Sequence, residues 1–107
     1  MGREYYRKGI YTRTALANRG EKFTVDLSTA RSDTALGKDG EIFKVIDKGD
    51  GTWSLKFKFG DGSTFEISNT ETYNGDYFTE ISYDDILFTN TAQSGVTSPT
   101  FGRWWKE

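Results

Sequence analysis

Between Trp53 and Phe59 every second residue is apolar. Trp53, Leu55, Phe57 and Phe59 alternate with Ser54, Lys56 and Lys58. A period of two puts one set of side chains in a core and the other in water, the pattern of a half-buried β-strand. Gly60-Asp61-Gly62 follows, and then Phe65 and Ile67 alternate with Thr64, Glu66 and Ser68. Asp-Gly between two alternating runs marks a hairpin. Upstream, Glu41-Ile42-Phe43-Lys44-Val45-Ile46 reads as a strand, joined to Thr52–Phe59 through the turn residues Asp47-Lys48-Gly49-Asp50-Gly51. Residues 41–68 are therefore expected to form a three-stranded meander whose alternate side chains, from 53 to 67, make the core.

The same reading extends outward. Lys22-Phe23-Thr24-Val25-Asp26-Leu27 alternates and is a fourth strand; the polar stretch Ser28–Lys38 reads as a loop. Tyr77–Tyr83 and Ile86–Thr89 are further strands, with Asp84-Asp85 as the turn or bulge between them, and Phe101–Lys106 adds a last edge strand. No window carries apolar residues at helical spacing with helix caps. The only proline is Pro99, so none interrupts a central strand. Seven to eight short strands define an all-β chain, a small antiparallel β-sandwich (jelly-roll-like) or barrel. Its expected parts are a basic, aromatic N-terminal arm or edge strand (1–20), a sandwich body (21–95) and a C-terminal tail with a Trp pair (96–107).

A chain of 107 residues with 35% apolar content has a modest core. Eight Phe, six Tyr and three Trp compensate, because each large ring buries much area. The chain has no Cys and no His. That removes thiolate nucleophiles, Ser-His-Asp and Cys-His arrangements, and the commonest zinc ligands. Asp47–Thr52 has the outline of a calcium loop but places Gly49 third and Lys58 twelfth, so it reads as a hairpin turn. Asp84, Asp85 and Glu80 could pair carboxylates, but adjacent strand residues face opposite ways, so a solvated turn is the better reading. The expectation is no enzyme, no cofactor and no metal. No apolar run approaches the roughly 18–20 residues of a membrane span. The start, Met1-Gly2-Arg3-Glu4-Tyr5-Tyr6, precedes no signal-type apolar stretch, which points to synthesis in a cytoplasm.

Charge is segregated along the chain. Residues 1–60 hold twelve Lys/Arg against eight Asp/Glu, whereas residues 61–102 hold seven acidic residues and no basic one. Opposite patches can steer subunits together, although folding can also mix the two halves on one surface. Net −2 weighs against general phosphate binding, so no direct nucleic-acid contact is expected. Arg3, Tyr5, Tyr6, Arg7, Lys8 and Arg13 are candidate interface residues on the arm. Trp104 and Trp105 join them, because neighbours in a strand face opposite ways and one should leave the core. Their other readings are the domain's own core and, with Trp53, Tyr73 and Tyr77, a platform for sugar rings.

The segment Ile81-Ser82-Tyr83-Asp84-Asp85-Ile86-Leu87-Phe88-Thr89-Asn90-Thr91-Ala92-Gln93-Ser94-Gly95 resembles a phrase of small virion proteins of tailed bacteriophages. In them an apolar strand enters an Asn-x-Ala-Gln-x-Gly turn before a closing strand. The likeness covers roughly residues 22–95. It departs after Gly95, where Val96-Thr97-Ser98-Pro99-Thr100 replaces an alternating strand, so the closing strand is either displaced or reaches to a neighbour. The resemblance implies a non-enzymatic virion part, a capsid decoration (cement) or tail-associated protein made in the host cytoplasm. Its partners would be other capsid or tail subunits, in a homo-oligomer or multi-copy assembly. The second reading is a carbohydrate- or receptor-binding β-sandwich module.

Overall fold

The computed structural model describes residues 4–6, 19–79 and 81–105, and it is all-β. Among the described residues nine strands follow in order: β1 (Glu4–Tyr6), β2 (Arg19–Thr24), β3 (Arg31–Ala35), β4 (Ile42–Asp47), β5 (Ser54–Phe59), β6 (Thr64–Ser68), β7 (Tyr77–Thr79), β8 (Tyr83–Asn90) and β9 (Thr100–Trp105). A 3-10 turn, Asn69–Glu71, separates β6 from β7. Eight strands form two antiparallel sheets of four, in the orders β7-β4-β9-β2 and β3-β8-β5-β6. β1 pairs in parallel with the free edge of β7. Each sheet has two ends, so the architecture is a sandwich and not a closed barrel. No helix among the described residues is long and apolar enough to cross a membrane.

Alternation does place the core. Leu55 and Phe57 of β5 are buried, while Lys56 and Lys58 look outward. Phe43 and Val45 of β4, Ile86 and Phe88 of β8 and Phe101 of β9 meet them from both sheets. Phe43 is the hub: its ring packs edge-on to Phe57 at 5.0 Å and lies 5.2 Å from Phe101, with Phe78 and Tyr83 just beyond 6 Å. Aromatic pairs in such tilted and edge-to-face arrangements add stabilisation beyond the area they bury. Trp53 is buried as its register implies, and its indole N–H donates to the Lys48 carbonyl at 3.0 Å.

Several expectations are corrected. β4 and β5 lie in different sheets, so residues 41–68 are not one meander; Asp47–Thr52 arches between sheets, and only β5 and β6 form a hairpin. Local sequence does not separate an arch from a hairpin, because both need the same Gly-rich turn. The fourth strand runs over Arg19–Thr24 rather than 22–27, although Val25 and Leu27 still reach the core. The stretch 28–38 is not all loop: β3 pairs with β8, its residues almost all exposed and its register broken by a bulge beside Asp33, whose φ is 43°. An edge strand with two wet faces shows no alternation, and the bulge protects its free edge. The chain reverses before Asp84-Asp85, with Ser82 at φ 44°, so both aspartates lie inside β8. A register shift opposite Asp84 makes this the expected bulge, not the expected turn. Phe101–Lys106 was expected at an edge; β9 is an interior strand, between β4 and β2. The sandwich body thus runs from Arg19 through Trp105 and does not stop at residue 95.

Candidate functional site

Arg3, Arg7, Lys8 and Arg13 lie outside the described residues, as does Glu80. Tyr5 and Tyr6 belong to β1, in register with Phe78 and Thr79. The arm's described part is therefore a three-residue strand on the edge of β7.

Trp104 and Trp105 take opposite faces of β9, as adjacent strand residues must. Trp104 is half-buried against its own sheet. Its ring lies over Gly102 and over Gly20, where an added Cβ would collide with the indole. Trp105 follows Phe101 and Arg103 in parity, at the end of the sandwich where the core gives way to charge. The Arg103 guanidinium stacks on its ring at 4.1 Å. The same guanidinium donates through Nε to Glu21 Oε1 at 2.8 Å and through Nη1 to Asp39 Oδ1 at 2.8 Å. Lys38 Nζ also donates to Glu21 Oε1, at 2.7 Å. The hydrogen bond from Lys38, and then that from Arg103, holds the Glu21 carboxyl below its ordinary pKa. Tyr83 lies inside this cluster; burial pushes its phenol pKa well above the usual value.

The acidic candidates have structural partners. Asp85 Oδ1 accepts from the amides of Gly37, Lys38 and Ile86 at 2.9, 3.1 and 2.7 Å, clamping the β3–β4 loop onto β8. Asp47 Oδ1 accepts from Gly49 N, and Asp50 Oδ1 from Thr97 N, so the loop with a calcium-like outline is fastened by its own carboxylates. Among the described residues no group of three acidic side chains is placed to hold a metal ion.

The Asn-x-Ala-Gln-x-Gly turn is a joint between three loops. The amide of Asn90, buried at the end of β8, donates to the carbonyls of Leu27, Thr29 and Thr91 at 3.3, 3.0 and 2.8 Å. Its oxygen accepts from Arg31 Nη1 at 3.2 Å. Gln93 brackets Thr52, accepting from its N–H at 2.9 Å and donating to its carbonyl at 2.7 Å. Gly95 takes φ 73°, a region that favours glycine. After it the next strand is β9, Thr100–Trp105.

One feature escapes the sequence pattern. Phe65 was expected in the core, and its ring does stack on Phe57 at 6.1 Å, yet it is 44% exposed. It sits on β6, the end strand of its sheet, where the facing strand β7 is only three residues long. Tyr73, 58% exposed, stands nearby. Together with Ile67, Thr70, Glu71 and Phe78 they line a groove of about 420 Å³ at the open side of the sandwich. Of the rings read as a sugar platform, Trp53 is in the core, Trp104 lies on its own sheet and Trp105 stacks with Arg103; Tyr73 is exposed. An end strand is the signal that would have found this groove: its inward residues need a strand opposite to be covered.

No family model matches the chain, and neither a curated protein nor a solved structure matches it.

Proposed function

We propose that this chain is a non-enzymatic structural part of a virion of the tailed-bacteriophage type, a decoration or tail-associated subunit. Counting β2 to β9 as strands one to eight, the two sheets run 1-8-3-6 and 2-7-4-5. That order supports reading the sandwich as a jelly roll, in which antiparallel pairs 1–8, 2–7, 3–6 and 4–5 wrap together, an architecture used by viral capsid and lectin domains. The observation that carries the reading is the place of Asn90–Gly95. The segment that resembles phage virion proteins is the joint on which three loops of this sandwich close. The resemblance thus falls on residues that build the fold.

In this reading the body is a compact spacer and the arm residues Arg3, Arg7, Lys8 and Arg13 contact acidic groups on neighbouring subunits. The test is quantitative mass spectrometry of purified particles from cells in which the chain is expressed during infection. The reading expects the chain at a fixed copy number per particle, and loss of incorporation when residues 1–12 are removed while the body stays folded. A chain abundant in cells and missing from particles overturns it.

A further inference from the structure

Among the described residues β1 and β2 follow one another in the chain, yet they occupy opposite edges of one sheet, whose order is β1-β7-β4-β9-β2. Successive elements are usually neighbours. Here the chain must cross four strand spacings, about 19 Å at 4.8 Å each, to bring Glu4–Tyr6 to β7. β1 is also the one parallel strand among those described, and its three register pairs are all with β7.

We propose that β1 is an exchanged strand: in the assembled protein, the Glu4–Tyr6 segment on β7 comes from a second copy of this chain. Twelve residues separate Tyr6 from Arg19. Fully extended they span about 40 Å, comparable with the 39 Å longest axis of the molecule. That limit exceeds the crossing to the chain's own far edge and is also long enough to reach a touching neighbour. Exchange of an identical element keeps every contact of the single chain and adds a link between copies, which makes it a low-cost route to oligomers.

Charge is compatible with this occupant. On the receiving side, β6 through β7 lie in the stretch 61–102, which has acidic residues and no basic one, while Lys44 and Lys48 come from β4 and the arch after it. Glu66 and Glu71 stand at the groove beside Phe78, the register partner of Tyr5. The incoming segment carries Arg3, Arg7 and Lys8 around Glu4. Opposite charge steers the encounter of two copies without needing a large interface.

The inference rests on the multi-copy part of the proposed function, and one experiment separates the two. The chain has no cysteine, so Glu4→Cys and Tyr77→Cys, at paired positions of β1 and β7, report only on each other. The two single variants are co-refolded in equal amounts and oxidised, then run on a non-reducing gel, with light scattering on the same sample. The expected result is a heterodimer at twice the chain mass, absent when either variant is oxidised alone. An assembly by light scattering in which the Glu4→Cys/Tyr77→Cys double variant forms only intrachain disulfides overturns the exchange and leaves assembly standing. A single-chain mass at every concentration overturns both. If either variant does not fold, Tyr6→Cys with Thr79→Cys probes the next pair but one of the same register.

Discussion

The indole of Trp104 fills the space that a side chain would need at Gly20, its cross-strand partner in β2. The same ring covers Gly102 two residues before it, where an added Cβ would lie 2.7 Å from the indole. Gly20→Ala must push the ring off the sheet and should destabilise by about 1–3 kcal/mol, the usual cost of overpacking. The pair should be non-additive: in the Trp104→Ala background, Gly20→Ala should cost about 1 kcal/mol less than in the wild type. Chemical denaturation of the four proteins of that cycle measures the difference.

Asn90 holds three carbonyls with one amide group. Asn90→Ala leaves buried acceptors unpaired and should cost about 2–3 kcal/mol. Asn90→Asp keeps the shape and the bond from Arg31 but sets a carboxylate oxygen against the same carbonyls, and should also destabilise at neutral pH. Protonating the new carboxyl supplies a donor, so the Asp variant should recover part of its deficit below about pH 4. Thermal melts at two pH values distinguish the two substitutions.

Phe43 and Phe65 are both inward residues on alternating strands, with different surroundings. Phe43→Ala removes the ring that touches both sheets and should cost about 3–5 kcal/mol. Phe65 keeps nearly half its surface in water, so Phe65→Ala should cost about 1 kcal/mol, in proportion to the smaller area it buries. Denaturant midpoints with unchanged slopes would check both.

Glu21 sets an acid limit. Its carboxyl pKa is lowered in the folded protein by hydrogen bonds from Lys38 and Arg103. A depressed folded pKa contributes stability that is present above the unfolded value, about 4.3, and lost as pH falls through the folded value. Glu21→Gln should therefore melt below the wild type at pH 7, and the gap should close as pH falls below the unfolded value. Parallel melting curves across that range, with a constant gap, would contradict the assignment.

Strand positions were legible in the sequence wherever one face is dry and the other wet, as at Trp53–Phe59 and Glu41–Ile46. β3 was not, because Arg31-Ser32-Asp33-Thr34-Ala35 buries almost nothing and is held by backbone pairing and by polar contacts of Arg31 and Asp33 to β8 and β5, which leave no apolar pattern. Sheet membership was illegible for a different reason: the partners of β4 are β7 and β9, more than thirty residues away, and its own turn is silent about them. The tail 96–107 misled because Val96–Thr100 lacks alternation, which hid that the strand beyond it is interior. At the candidate site, opposite faces for Trp104 and Trp105 followed from adjacency, but Gly20, one of the two glycines that bring Trp104 back onto its own sheet, lies on β2, far away in the chain. Phe65 alternates like a core residue, and only its place on an end strand opens it to water.

The strand order of the five-stranded sheet turns on β9 lying between β4 and β2. Amide hydrogen exchange followed by NMR tests it directly. The amides of Phe101 and Arg103 should exchange as slowly as those of Phe57 and Phe88, by global unfolding. Exchange of residues 100–105 at rates typical of a chain end, with β5 and β8 still protected, would contradict it.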